Sequence, residues 1–561
     1  MPSALARSIG PSLCLVGGLT WSLHARAADV PATPSDYKAK VGALKPGDTL
    51  RLAAGTYTGG LVLTGLNGTA GSPITIAGPE AGPPAIFLAD PGPCCNTVEI
   101  KDSSYLVLTH LTIDGNHVDG AFGVSAKSGA VHHITIDGCT FSNHDGSQQH
   151  VGISTKVATW GWIIRRNRIA GAGTGLYLGN SNGDAPFIGG LIEGNLVKDS
   201  IGYCMQIKWQ KPRNPTPGMP TEPVSTIIRD NVFVKGDVPS PDGDRPNVLV
   251  GGFPATGPGA DDLYEIYGNF FLHNPKESLF QGSGRVSLHD NVFVDTTGAA
   301  IRLRDHDLPL RLAHVYNNTI YGAASGIAFD SAAPQGDYVV GNLVFSPKPI
   351  SGSIALQKDN LTDAVANAGN YVASPSLSLA SMDLYPKAGS CEGPPLDLAP
   401  VAQETDYARD FNGVSKGLFT FRGAYAGAGK NPGWHLDAGL KEQGAGGAGG
   451  ASAGGAGGAS AGGATTGGIG GAGGASAGGA AGVSAGGAGG TSTGGKGGVS
   501  GGANAGSTGT AGVTGAGLGS SDEGGGCGCR IASSEGCGLG VIVLTLGAAL
   551  CGRRRRGSHS E

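Results

Sequence analysis

Four short alternating segments carry the side chains with the most chemistry to offer: Gly152-Ile153-Ser154-Thr155-Lys156, Gly175-Leu176-Tyr177-Leu178-Gly179, Met205-Gln206-Ile207-Lys208-Trp209 and Ile301-Arg302-Leu303-Arg304. A strand sends successive side chains to opposite sides. Ile153, Leu176, Leu178, Met205, Ile207, Ile301 and Leu303 then point inward. Lys156, Lys208 and Arg304 fall at one outward position, and Ser154, Tyr177, Gln206 and Arg302 at another. Cations around an aromatic ring, in a chain of net charge −5, suit an anionic polysaccharide. One reaction on such a polymer is β-elimination. A cation neutralises the uronate carboxylate, which acidifies the C5 proton, and a base of matched pKa removes that proton. A lysine crowded by cations has a lowered pKa. Lys208 is therefore the candidate base. Lys156, Tyr177, Gln206 and Trp209 are the candidate substrate contacts.

Other chemistries find less support. Hydrolysis of a glycosidic bond needs paired carboxylates. Asp261-Asp262 is the one adjacent pair in this part of the chain, and it reads as the start of a turn into Tyr264. His132-His133 and His144-Asp145 read as surface or turn residues without a partner. No Cys-x-x-Cys or His-rich spacing points to zinc. With 38 Lys and Arg against 43 Asp and Glu, there is no nucleic-acid footprint either.

The elements that must hold these side chains are written as a repeat. A β-forming residue or two, then Gly, Asp or Asn, then Asn, then more β-formers recurs from Ile113-Asp114-Gly115-Asn116 to Gly341-Asn342-Leu343-Val344. The anchor falls at positions 116, 139, 167, 195, 231, 269, 291, 318 and 342. Short β-branched runs at this spacing, with no helical period between them, predict a solenoid of parallel strands. Turns in every coil account for much of the body's share of the 103 glycines. An Asn recurring at one coil position can stack its amide on its neighbours. A β-sandwich would explain the short strands but not the regular Asn. Three consecutive coils insert after the same strand, at 180–190, 210–224 and 252–262, so the loops should wall a groove. Lys208 and Arg304, three coils apart at about 4.8 Å per coil, would stand about 14 Å from each other, roughly three sugar units.

The pattern resembles the right-handed parallel β-helix family, the pectin-lyase-like fold, over residues 45–352. Lys45-Pro46-Gly47-Asp48-Thr49-Leu50, followed by Ala54-Gly55-Thr56-Tyr57, resembles that family's first coil. Residues 35–44 are expected to form a capping helix with Ser35 as its N-cap. Glu277 to Gln281, with Arg302-Leu303-Arg304-Asp305-His306 one coil later, resembles the alginate and chondroitin lyase branch. That resemblance implies Glu and Lys on one coil, an Arg-His pair on the next and calcium ligation by Glu277, and so adds Arg302, Arg304 and His306 to Lys208 as the candidate catalytic set. Here Gln281 stands where the lysine is wanted. The Asn-Thr-Asp, Gly-His-Gly and Arg-Ile-Lys motifs of the polygalacturonase branch are missing. The leading reading is a surface-displayed β-helix acting on acidic polysaccharide as a lyase; the alternative is a non-catalytic adhesin or matrix-binding module with the same groove.

The remaining organisation concerns address. Residues 1–27 read as a secretory signal: Arg7, an apolar stretch over 9–23, and Ala25-Arg26-Ala27 as cleavage site. The predicted all-β body comprises an N-terminal cap over 28–44, the β-helix over 45–385 and a cap region over 386–443 that closes its far end. Residues 444–526, rich in Gly, Ala, Ser and Thr, cannot bury enough apolar surface to fold and are expected to be a flexible stalk. Residues 527–561 hold Cys527-Gly528-Cys529, an apolar span and Arg553 to Arg556. This order resembles the C-terminal sorting signals of myxobacterial surface proteins. It implies membrane tethering, a sorting protease at the Cys motif and display at the cell surface or outer membrane; a plain tail anchor is the alternative. Cys94, Cys95, Cys139, Cys204 and Cys391 remain in the body, an odd number whose pairing the sequence leaves open. A monomer is expected, with calcium the one cofactor that the resemblance allows.

Overall fold

The computed structural model describes residues 27–91 and 96–441. The expected signal peptide except Ala27, Cys94, Cys95, residues 444–526 and the C-terminal Cys–apolar–Arg segment lie outside the described residues. The β-branched runs do what alternation predicts. Thirty-six strands pair into two sheets of 24 and 12 strands, and coil stacks on coil throughout. Every pairing in these sheets is parallel, as in Leu176↔Met205, Ile192↔Ile228 and Phe233↔Phe271. The molecule is a parallel β-helix, and the parallel register rules out a sandwich built from hairpins. The smaller sheet supplies one strand per coil, which makes twelve coils from Gly55–Tyr57 to Leu361–Asp363.

Each coil has three faces. The first carries Val151–Thr155, Thr174–Leu178, Met205–Ile207, Val248–Val250, Phe280–Gly282 and Ala299–Leu303 in successive coils. The second carries strands such as Ser225–Arg229 and Leu263–Tyr267, and the third strands such as Val232–Val234 and Phe270–Leu272. Inward residues align in register, so apolar side chains stack coil on coil: Ile153, Leu176, Met205, Val248, Phe280 and Ile301 on the first face. On the third face Phe271 and Phe293 lie parallel with centroids 4.5 Å apart. These side chains are fully buried. Each such burial contributes roughly 1.5–3 kcal/mol.

The asparagine ladder closes the corner between the second and third faces. Asn167, Asn195, Asn231, Asn269, Asn291, Asn318 and Asn342 each donate Nδ2 to the Oδ1 of the next Asn at 2.9–3.0 Å. The same Oδ1 also accepts the preceding rung's backbone N–H, as Asn231 Oδ1 does from Asn195 at 2.9 Å. Two corrections to the expected register follow. Asn116 is not a rung: its N–H donates to Asp114 Oδ1, and the rung position in that coil is held by Leu111, the residue before Thr112, which pairs with Thr140. Cys139 heads the ladder through its backbone N–H to Asn167, and Asn360 ends it. Residues just before the rungs turn with positive φ, and where they are not Gly they are Asp230, Asp290, Asn317, Asp359 or Arg166.

Both ends differ from expectation. The helix is Tyr37–Val41 and its N-cap is Asp36 rather than Ser35, because Asp36 Oδ1 accepts the Thr33 N–H and ties down the turn before it. Tyr37 seals the first coils against Tyr57 and Phe87, with centroids at 5.1 and 5.8 Å. The region expected to close the far end instead runs back along the flank as an arm. Lys416 reaches Asp290 at 2.7 Å and Lys441 reaches Asp230 at 2.6 Å. Apolar residues Phe411, Tyr425 and Leu436 cover Val232, Phe270 and Leu343 on the outer side of the third face. That side is apolar, so the hydrophobic effect draws the arm along it. Cys139, Cys204 and Cys391 are buried and unpaired, and burial pushes the Cys139 and Cys204 thiols up to about 12. Among the described residues no helix is long and apolar enough to cross a membrane.

Candidate functional site

The outward column on the first face runs Glu99, Ser125, Ser154, Tyr177, Gln206, Leu249, Gln281, Arg302 and Ala328 in strict register. A second column lies two residues further along each coil. Its backbone bonds are Lys156 N to Ala126 O, Lys208 N to Leu178 O, Gly251 N to Ile207 O, Ser283 N to Val250 O and Arg304 N to Gly282 O, while Gly179 N donates instead to the Thr155 side-chain hydroxyl. Lys156, Gly179, Lys208, Gly251, Ser283 and Arg304 therefore occupy successive coils, with Lys127 in the coil before Lys156.

Tyr177 is the centre of the first cluster. The Lys156 ammonium stands 3.8 Å from its ring centroid and Lys208 6.0 Å. Phe122 lies 5.7 Å from the same Lys156 ammonium. The Lys156 side chain as a whole is exposed, but its charged end lies against these rings. Desolvation there, then repulsion from Lys208 and Lys127, pushes the ammonium down to about 8. Gly179 makes the convergence possible. Its φ is +89°, and a Cβ there would stand 3.3 Å from both the Lys208 Cβ and Ala185 O. The Tyr177 hydroxyl is 2.8 Å from Ser181 Oγ. Gln206 is buried on the floor.

The three insertions do stack into a wall. Trp209 lies flat on Gly183 and donates Nε1–H to Ser181 O at 3.1 Å. Lys211 N bonds Gly183 O, and Gln210 N bonds Gly252 O. Arg213 of the second loop forms a buried ion pair with Asp262 of the third, and Asp262 also accepts the Val224 N–H at 3.0 Å. Asp262 is thus a structural partner, which removes Asp261-Asp262 as a hydrolytic pair. Met219 from the second loop packs on Trp160 and Ile188.

Arg302, Arg304 and His306 form a separate cluster three coils beyond Lys208. Arg302 Nε donates to Asp330 at 2.7 Å, and its Nη1 lies 3.9 Å from Glu277. Arg304 donates to Asp305 O at 3.3 Å. His306 bonds Leu308 through its backbone and lies 3.7 Å from Asp307. The candidate catalytic set is therefore not one constellation: Leu249, Gly251, Gln281 and Ser283 stand between its halves. Calcium at Glu277 does not fit, since Glu277 and Asp330 both turn toward Arg302 and a cation would have to displace it. Among the described residues no group of three or more His, Cys, Asp or Glu is arranged to hold a metal ion.

Two histidine readings also change. His144 is buried under the loop that carries Gly115 and Gly123, with Ala121 O a hydrogen-bond partner at 3.4 Å. His132 and His133 are half-buried, their Nδ1 atoms 2.7 Å apart and their rings stacked on Trp160 and Tyr105. Sequence reasoning missed Lys127, Phe122, Leu249 and the spacer role of Gly179 and Gly251. A column of neighbours was the missing signal, since Val248–Val250 carries no charge to draw notice.

No protein-family model matches the chain, and no curated protein matches it. Solved structures do resemble it. An alginate lyase from Paenibacillus sp. str. FPU-7 is 18% identical with a TM-score of 0.29, covering 55% of this chain and 97% of that one. Pectate lyase Pel9A is 13% identical at 0.33, covering 69% and 86%. The catalytic unit of a thermostable GH87 alpha-1,3-glucanase from Streptomyces thermodiastaticus strain HF3-3 is 13% identical at 0.34, covering 60% and 70%. At these values the likeness carries no conclusion about activity.

Proposed function

We propose that the first face binds an acidic polysaccharide, with one sugar ring over Tyr177 and its anionic groups met by Lys156 and Lys208. One observation carries this: two lysine ammoniums converge on a single half-exposed ring, and among the described residues no carboxylate lies within ion-pair distance of Lys156. A protein that needed the Lys156 charge only for stability would pair it, as it pairs Arg213, Lys416 and Lys441. From Lys127 to Lys208 is three coil steps, about 14 Å, or roughly three sugar units. Gln206 and Trp209 fit as floor and wall of this stretch. The readings of residues 1–27 as a secretory signal and of 527–561 as a sorting segment make export and cell-surface display part of the same proposal.

A second reading, uronate β-elimination, has one specific observation in its favour: the lysine in the cluster whose ammonium is depressed to about 8. That lysine is Lys156, so the base role moves there from Lys208, which would neutralise the carboxylate. The C5–H bond would break toward Lys156, C4=C5 would form, and the C4–O bond would break with water protonating the leaving oxygen. Arg302, Arg304 and His306, about 14 Å from Lys208, could only touch a more distant unit.

The two readings differ in sign with pH. Binding needs the Lys156 ammonium and should weaken as pH rises through about 8, whereas elimination needs the neutral amine and should speed up over the same range. The full chain is incubated with a panel of uronate polymers, and bound polymer and ultraviolet absorbance of unsaturated product are followed. Binding without product removes the lyase reading. No binding to any acidic polymer removes both.

A further inference from the structure

Lys156 does more than add charge to the site, because of where it rests. Its ammonium lies 3.8 Å from the Tyr177 centroid, in cation–π contact with the face that a sugar would stack on. The ring is held in place from its far end by the hydroxyl contact to Ser181, so the lysine rather than the ring is the part that can yield. Lys156 is a four-carbon stem on an exposed position, free to swing. Lys208, at 6.0 Å, flanks the ring instead of covering it. Lys127 and Lys208 repel Lys156 from either side, Phe122 and Tyr177 desolvate it, and Glu99 is engaged by Lys101 and Asn96. The covered state is therefore poised to break when an anion arrives.

We propose that Lys156 is the specificity-determining gate of the site: it covers the Tyr177 ring until a sugar bearing an anionic group exchanges an ion pair for the cation–π contact. This rests on the polysaccharide-binding reading above. An acidic sugar receives the displaced ammonium on its own carboxylate while its apolar face takes the ring. A neutral sugar of the same backbone must displace the ammonium and offers it nothing. The ligand class is thereby narrowed to polymers in which the unit stacked on Tyr177 itself carries the charge, rather than a neighbouring unit.

The test compares polygalacturonate and alginate with their esterified, uncharged forms, on the full chain, by titration calorimetry at neutral pH. The wild type should bind the acidic forms and reject the esters. Lys156→Ala should lose roughly tenfold toward the acidic forms and gain about two- to tenfold toward the esters, because the ring is uncovered. Lys208→Ala should lose affinity for the acidic forms with no gain for the esters. Tyr177→Ala should lose both, and Lys156→Arg should keep the discrimination. If the wild type binds no acidic polymer, the polysaccharide reading itself fails. If it binds them and Lys156→Ala gains nothing toward the esters, the gate alone is overturned. Circular dichroism of each variant separates these outcomes from loss of fold.

Discussion

Two stretches of one face use the same two columns and come to opposite ends. In the coils of Lys127, Lys156 and Lys208, the outward positions bring cations together around Tyr177. Three coils on, Arg302 and Arg304 occupy the same columns, yet Asp330, Glu277 and the Asp305 carbonyl engage them. The wall differs as well. Loops 180–190, 210–224 and 252–262 lock together beside the first stretch through Arg213 and Asp262. Position in a solenoid therefore decides only where a side chain points. Whether its charge is available depends on what the adjoining turns bring to it.

Breaking the wall should have the largest effect. Arg213→Ala leaves Asp262 buried without its partner, at a cost of about 3–5 kcal/mol. Hydrogen exchange should show loops 210–224 and 252–262 losing protection by that amount, while the Arg302 coil is unchanged. Next comes the charge itself. The double variant Lys156→Ala, Lys208→Ala should lower affinity for an acidic polymer about a hundredfold, from two charged contacts at roughly tenfold each. Arg302→Ala, Arg304→Ala should cost less than about threefold in the same titration, as expected for surface groups already engaged by Asp330, Glu277 and the Asp305 carbonyl.

A smaller effect comes with pH. The ammonium of Lys156 is the binding form, and it is held down to about 8. Affinity should therefore be constant below about 7 and fall as pH rises through 8, well before an ordinary lysine near 10.4 titrates. Lys156→Arg should flatten that fall. The smallest change sharpens the comparison from the other side. Asp330→Asn frees Arg302 from its shortest ion pair and should raise polymer affinity by about two- to fivefold. No gain would mean that charge masking is not what separates the two stretches.

Much of the architecture was legible because alternation and Asn recurrence are local signals. Asn167 to Asn342 stand as rungs where the repeat put them, and Ser154, Tyr177, Gln206 and Arg302 share the outward column that alternation predicts. Asn116 failed as a rung because the pattern around it also fits a turn held by Asp114. The path of the arm was not legible. Nothing in residues 386–441 shows that Lys416 and Lys441 will find Asp290 and Asp230, since those partners lie more than a hundred positions away.

The sequence alone determined the solenoid, its rungs and the facing of its strands, because each depends on backbone preference and on a period of two. It also determined which residues share an outward column. Only the tertiary structure decided which of those residues act together. Contacts across coils set the Lys156–Tyr177–Lys208 convergence, the pairing of Arg302 with Asp330 and the locking of the wall by Arg213. Electrostatic availability is a property of through-space neighbours, and those neighbours come from turns whose lengths and paths no local pattern encodes.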